Sequence, residues 1–208
     1  MQMPGDPREL ALKYRIDSEA DYLSIVDGCP AAPGREDSCL RNYYFDTQSY
    51  LLARSRGMLR LREGKTTVLC FKKGGEKEGT PGFFDVIEVE AEVRKELVEE
   101  ALAQPDALFR EPHPATRSVL KHYGQIELVS IGYLDTRRRY RQYDGNLLEC
   151  DEVTYPDGSR AFEVEVETRH PENARDALLR IFDELSIAAF PQRHSKLQGL
   201  LRKDGILP

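Results

Sequence analysis

The feature that most constrains this chain is a set of short segments that place charges of one sign at every second residue. Glu163, Glu165 and Glu167 alternate with Val164 and Val166, and Glu88, Glu90 and Glu92 alternate with Val89 and Ala91. Arginine repeats the device at Arg60 and Arg62 around Leu61, and again at Arg137, Arg139 and Arg141. A period of two is that of a β-strand, whose successive side chains leave opposite faces. Each segment therefore has one apolar face and one face of a single sign. For one strand alone, a half-exposed sheet with its charges in water accounts for the pattern. Several single-sign strands together do not fit it well, because like charges ~4 Å apart repel by about 4 kcal/mol at an effective dielectric near 20. Such faces persist more readily when opposite charge stands between them. The strands taken together point to a closed barrel with a charged lumen, its apolar outer face covered by helices.

The rest of the chain supports that architecture. Residues 9–16 place Glu9, Ala11, Lys13 and Arg15 on one face and Leu10, Leu12, Tyr14 and Ile16 on the other. Further strands are expected at residues 40–47, 58–63, 67–73, 83–93, 125–131, 134–143, 146–155 and 160–168, with a turn across residues 74–82. Ser18 followed by Asp21 is an N-cap signature for a short helix ending at Gly28. Helices are also expected at residues 94–103, 115–123, from Pro171 to Leu185, and at 195–203. No linker-like stretch divides the 208 residues, so the expectation is one α+β domain built on a large antiparallel sheet or barrel. The two halves echo each other, each running from an arginine strand through a middle strand to a glutamate strand.

Composition excludes several function classes. With 30 Lys+Arg against 36 Asp+Glu the formal net charge is −6, which disfavours a nucleic-acid or membrane-surface binder. Alternate residues of the run Arg137–Arg141 go to opposite strand faces, so it does not form one basic patch. No apolar run reaches the roughly 20 residues of a spanning helix. Residues 1–7 have neither a basic start nor an apolar run, so no signal peptide is expected. Cys29, Cys39, Cys70 and Cys150 show no metal spacing and read as reduced thiols of a cytoplasmic protein, with Cys70 and Cys150 as packing residues. His113, His122, His170 and His194 are scattered and read as surface or capping residues. Gly74-Gly75 is a turn, not a phosphate loop, since no Gly-Lys-Ser/Thr follows.

Arginine and lysine facing clustered carboxylates suit a polyanion bridged by a divalent metal: basic groups on phosphate oxygens, acids on the metal. At this point a family resemblance enters. Glu9-Leu10-Ala11-Leu12-Lys13-Tyr14 resembles the ExExK strand of the CYTH family, within the triphosphate tunnel metalloenzymes. Tyr43-Tyr44-Phe45-Asp46-Thr47 resembles its YFDT segment, Leu59-Arg60-Leu61-Arg62 its LRLR strand, and Leu69-Cys70-Phe71-Lys72 its T-L-K strand. Glu88-Val89-Glu90, Thr136-Arg137, Glu149-Cys150-Asp151, Glu163-Val164-Glu165 and Ser195-Lys196 follow in the family's order. The resemblance covers nearly the whole chain.

It implies an eight-stranded antiparallel barrel, helices outside, with a lumen that binds a linear triphosphate. By position, Lys13, Arg60, Arg62, Lys72, Arg137 and Lys196 would grip phosphate oxygens, joined by Arg139 on the face of Arg137. Asp151, Glu163 and Glu165 would hold Mg²⁺ or Mn²⁺ with Glu9, while Glu88 and Glu90 would face the lumen as metal or water-orienting groups. In hydrolytic members a lysine–tyrosine pair activates water, and here it would be Lys13 with Tyr44. Two positions depart from the pattern. Ala11 stands where the family has a second glutamate, either a natural loss that Glu149 or Glu167 would compensate or an engineered substitution that silences catalysis, and Val86 stands where many members carry arginine.

The implied ligands are tripolyphosphate, ATP or thiamine triphosphate. Inorganic tripolyphosphate is favoured because no pocket for an organic group is evident and the chain has no Trp to stack a thiamine ring. A class IV adenylyl cyclase and a non-catalytic triphosphate-binding protein are the alternatives, the second because of Ala11. A homodimer is left open. The net charge would then divide by place, with many basic residues gathered inward opposite a smaller acidic cluster.

Overall fold

The computed structural model describes residues 8–75, 81–110 and 112–207. Residues 1–7 and the middle of the expected turn at 74–82 lie outside these. Nine strands form one antiparallel sheet: β1 (Arg8–Ile16), β2 (Ser38–Asp46), β3 (Gly57–Glu63), β4 (Thr67–Gly74), β5 (Phe83–Val93), β6 (Val129–Tyr143), β7 (Asn146–Thr154), β8 (Arg160–Glu167) and β9 (Ala189–Pro191). The order β5-β4-β3-β2-β6-β7-β8-β1 closes on itself because β1 also pairs with β5. Eight strands thus make a barrel, and closure leaves no long edge to protect. The ninth, β9, continues along β1 where β5 stops, with Tyr14 opposite Pro191.

The switch from β5 to β9 is made by three backbone hydrogen bonds. Lys13 N donates to Gly82 O at 2.8 Å, Gly82 N to Gln192 O at 2.8 Å, and Gln192 N to Lys13 O at 2.9 Å. Gly82 has φ +84°, and a Cβ there would stand 3.0 Å from Pro191 Cβ, so the junction needs glycine.

The outward apolar positions are covered in two blocks. Helices α1 (Glu19–Gly28) and α5 (Pro171–Glu184) lie over β1, β7 and β8, burying Leu12, Tyr14, Leu148, Val164 and Val166 against Tyr22, Ile25, Leu178 and Phe182. Ser18 caps α1, its hydroxyl accepting from Asp21 N at 3.3 Å. Helix α3 (Leu97–Ala103), a 3-10 turn at Pro105–Phe109 and α4 (Pro114–Tyr123) cover Leu59, Leu61, Leu69 and Phe71 on the other side. His113 caps α4, one of the two roles expected of the scattered histidines. Short α2 (Leu51–Arg54) and the C-terminal α6 (Lys196–Lys203) complete the helices. They join a third cluster in which Leu197, Leu200 and Leu201 meet Ala53 and the inward-facing Tyr44, Leu134 and Val153. Full burial of each such side chain contributes about 1.5–3 kcal/mol. This apolar cluster fills one end of the lumen, while Glu90, Glu92 and Glu167 are exposed at the other.

Two strands differ from the sequence-based expectation, β9 having no counterpart in it. Residues 125–131 and 134–143 were expected as two strands, and β6 is one strand of 15 residues. The register shifts by a bulge at Tyr44/Phe45, opposite Gly132, whose φ is +130°. Glycine there reads as a turn in sequence, but it lets the strand bend and continue. A Cβ at Gly132 would also stand 3.1 Å from Leu200 Cδ2, so the same residue admits α6.

Candidate functional site

The period-two pattern now sorts residues by face. Glu9, Ala11 and Lys13 on β1, Arg60 and Arg62 on β3, Cys70 and Lys72 on β4, and Glu88, Glu90 and Glu92 on β5 share the inward face. So do Glu149 and Asp151 on β7 and Glu163, Glu165 and Glu167 on β8. Their apolar neighbours lie in the outer clusters. In a ring of eight, β3 stands four strands from β8 and β4 four strands from β7. The arginines of β3 therefore face the glutamates of β8 across the lumen, and Lys72 faces Glu149 and Asp151.

Two expected lumen residues are elsewhere. Arg137 is exposed on the outer wall, and Arg139 is buried outside the barrel, donating to Tyr22 Oη at 2.8 Å and lying 3.4 Å from Glu152. The inward arginine of β6 is Arg138. Its Nε and Nη2 reach the two oxygens of Asp151 at 2.8 and 2.7 Å, it pairs with Glu149, and it stands 4.0 Å from Glu165. A run of three arginines fits either phase of a strand, and register decides it: Arg138 is directly across from Asp151. The echo between halves therefore breaks in phase, since the second arginine set points out.

Most inward cations are held by carboxylates. Lys13 Nζ is 2.6 Å from Glu165 Oε1, and Lys72 bridges Glu9 and, at 3.1 Å, Glu88. Lys196 bridges Glu163 and, at 2.9 Å, Asp151, while Arg62 reaches Glu90 at 3.3 Å. Lys196 comes from the first residue of α6. A reciprocal cap sets it there, Ser195 Oγ accepting from Gln198 N and Gln198 Oε1 accepting from Ser195 N. Arg60 is the exception: its Nε is buried and has no hydrogen-bond partner. A buried unsatisfied donor on a cation is costly and marks a place for an anion.

Burial opposes ionisation of Glu88, but Lys72, a hydrogen bond with Glu9 and Arg60 outweigh it and hold the carboxyl down at about 2. Burial likewise opposes the charge of Asp151, and Arg138 and Lys196 overcome it, lowering its pKa. Glu149 goes the other way, raised by burial against its Arg138 partner. Desolvation, with Glu149, Glu9 and Glu165 nearby, raises Glu167 to about 7. Cys70 is buried but faces the lumen rather than the apolar core, with Sγ 3.2 Å from Glu88 Oε1. Burial pushes its thiol up to about 12.

Tyr44 and Lys13 stand on facing walls of the barrel. The two come from β2 and β1, four strands apart in the ring, and no hydrogen bond connects them among the described residues. Tyr44 is sealed in the apolar end of the lumen, and its charged neighbours are Arg60, Lys196 and Glu163. The sign of the lumen also differs from expectation. Inward carboxylates outnumber inward cations, so the lumen is the more acidic place.

Two carboxylate groups have the composition of a hard-cation site. Single oxygens of Asp151, Glu163 and Glu165 lie within 4.8 Å of one another, as do those of Glu9, Glu165 and Glu167. The sets share Glu165 and offer only oxygen, which fits Mg²⁺ or Mn²⁺.

This lumen can be compared with known proteins. The sequence matches the CYTH domain family over residues 8–195. The chain belongs to the CYTH family. No curated protein sequence matches it. Among solved structures, this CYTH barrel superimposes on a Hippeastrum protein named as an adenylyl cyclase and described as having a dominant triphosphatase activity. The TM-score is 0.80 at 25% identity, covering 96% of this chain and 97% of that one. It also superimposes on a Bacillus halodurans protein named for adenylate cyclase, at TM-score 0.72 and 21% identity over 93% and 98% of the two chains. The Pyrococcus horikoshii protein PH1819 shares the fold at TM-score 0.61 and 16% identity over 93% and 99%. No described helix of this CYTH protein is long and apolar enough to cross a membrane.

Proposed function

We propose that this CYTH protein is a metal-dependent triphosphatase that cleaves inorganic tripolyphosphate to phosphate and diphosphate. The observation that carries the reading is Arg60, a half-buried cation whose buried Nε has no hydrogen-bond partner, on a wall with Arg62 and Lys72 directly across from the carboxylates of β7 and β8. The dominant triphosphatase activity of the Hippeastrum relative supports it.

Because the lumen holds more carboxylates than cations, a polyanion alone is repelled there, and it enters with divalent cations. A bound Mg²⁺ or Mn²⁺ would neutralise charge and polarise phosphoryl oxygens. Asp151, Glu163, Glu165 and Glu9 would hold it. Those same carboxylates engage Lys13, Lys72 and Lys196, so metal held on them would free the ammonium groups to bind phosphate oxygens. Arg60 and Arg62 orient the chain of phosphates and stabilise charge on the leaving diphosphate. Glu165, whose Oε1 is 2.6 Å from Lys13 Nζ, would take the proton of the attacking water, with the Lys13 ammonium holding the phosphate oxygens beside it. Tyr44 closes the lumen beside Arg60 and Lys196, on the wall facing Lys13.

The test is phosphate release from tripolyphosphate with added Mg²⁺ or Mn²⁺, wild type against Arg60→Ala. Loss of this arginine is expected to reduce turnover at least 100-fold, on the scale of removing one preorganised donor. Turnover by wild type no greater than by the variant refutes the reading. Cyclic AMP formed from ATP would instead make it a cyclase, and ligand-induced thermal stabilisation without turnover a binding protein.

A further inference from the structure

The inward row of β5 changes character along its length: Glu92, Glu90 and Glu88 give way to Val86 and Phe84 away from the open end of the lumen. Val86 is directly across from Glu9 on β1, and Phe84 is directly across from Ala11. Ala11, Val86 and Phe84 therefore adjoin one another on two neighbouring strands. Opposed residues bring their Cβ atoms to about 4.5–5.5 Å. The methyl of Ala11, fully buried, leaves the space over it to the Phe84 ring. Lys13 is the next inward residue of β1, and its Nζ stands 5.0 Å from the centroid of that ring, inside the ~6 Å range of a cation–π contact. Its ion pair is with Glu165, at 2.6 Å. The other inward lysines are held differently. Lys72 bridges Glu9 and Glu88, Lys196 bridges Glu163 and Asp151, and neither lies over an aromatic ring among the described residues.

We propose that Phe84 is a positioning residue for Lys13, keeping its ammonium group aimed into the lumen when a metal ion draws Glu165 away. This rests on the triphosphatase reading, in which metal and Lys13 compete for that carboxylate. Lysine carries its charge on a flexible four-carbon stem, and an ammonium released from its only ion pair spreads over many rotamers. The negative face of a phenyl ring attracts the ammonium without offering the oxygen ligands that Mg²⁺ or Mn²⁺ takes. Metal that captures Glu165 therefore leaves the second hold on Lys13 in place. Ala11 and Val86 add no charge beside the ring that would pull the ammonium aside. Phe84 thus orders a phosphate-binding cation as substrate arrives, and it does so through Lys13 rather than by touching phosphate.

The experiment is isothermal titration calorimetry of the full chain, in the presence of Mg²⁺, with a non-hydrolysable imido analogue of tripolyphosphate. Phe84→Leu keeps apolar bulk and removes the π face, and it is expected to weaken binding by about 5- to 30-fold, while Phe84→Tyr stays within about 3-fold of wild type. Mono-, di- and trifluorophenylalanine placed at position 84 keep the shape of the ring and drain its face step by step, so affinity is expected to fall in that order. A ring that only fills space shows no such trend. In a Lys13→Met background the Leu substitution is expected to change affinity by less than about 2-fold, because the ring acts through the ammonium. Circular dichroism confirms folding of each variant. Unaltered affinity across the fluorinated series, or the full Phe84→Leu loss added on top of Lys13→Met, overturns the assignment while wild-type turnover leaves the triphosphatase reading standing. Absence of analogue binding by wild type overturns both.

Discussion

Replacing Arg138 with methionine removes a guanidinium and keeps much of the side-chain volume. In the folded protein Arg138 is 15% exposed and lies against Asp151, which is fully buried, and Glu149, which is 13% exposed. Breaking a buried pair by deleting one partner costs about 3–5 kcal/mol, because the remaining charge is left uncompensated. Lys196 stays 2.9 Å from Asp151 and supplies part of the compensation, so the lower end, about 3 kcal/mol, applies. For a chain of this length each kcal/mol moves the melting temperature by about 2–4 °C, giving a fall of roughly 6–12 °C at pH 7. Arg137→Met, one residue away on the exposed outer wall, is expected to stay within about 0.5 kcal/mol of wild type. The pH dependence has a definite sign. Asp151 is a carboxyl whose folded pKa is depressed, so its stabilisation is present above the unfolded value near 4 and lost as the pH falls below it. The Arg138→Met penalty is therefore full at pH 7 and shrinks as Asp151 and Glu149 take up protons on acidification. Thermal denaturation of both variants from pH 7 to well below pH 4 checks it. Equal losses from the two substitutions, or a larger loss at Arg137, would show that β6 has the opposite phase and would refute the argument.

Two other expectations rest on the same lumen. Glu88 is held at about 2 by Lys72 and Arg60 against the effect of burial, so Lys72→Met is expected to destabilise the protein at pH 7 and progressively less between about pH 4.5 and 2, as followed by urea unfolding. Of the 4 cysteines only Cys39 is exposed, while Cys29, Cys70 and Cys150 are buried and their thiols raised by burial. A thiol reagent such as dithionitrobenzoate at pH 8 is expected to titrate one equivalent rapidly in native protein and all four in guanidinium, and two fast equivalents would contradict the placement of Cys70.

Alternation was the legible part of this chain. Where a strand carries charge on one face and Leu, Val or Phe on the other, the apolar residues must meet helices, which leaves the charges a single direction to face. That reasoning placed Lys13, Arg60, Arg62, Lys72, Glu88, Glu90, Glu163 and Glu165 on the inner wall. It failed on β6, where arginines at 137, 138 and 139 fit both phases and the Gly132 bulge resets the strand relative to its neighbour. It also mistook Cys70 for an ordinary core residue, because a small uncharged side chain carries no sign to betray its face.

Local chemistry, being a property of the chain, was decided by sequence: strand period, the Ser18 cap, the helix-starting Pro171, and the sorting of charge into single-sign faces. Register across strands belongs to the closed barrel, and only tertiary structure could decide it. It set Arg138 against Asp151, put Lys13 and Tyr44 on facing sides of the ring, and paired Glu167 with Ala11 across the strands. It also showed that the acids, not the bases, predominate inside. The physical reason is that a side chain's face follows from its own strand, whereas its partner follows from closing eight strands into one ring.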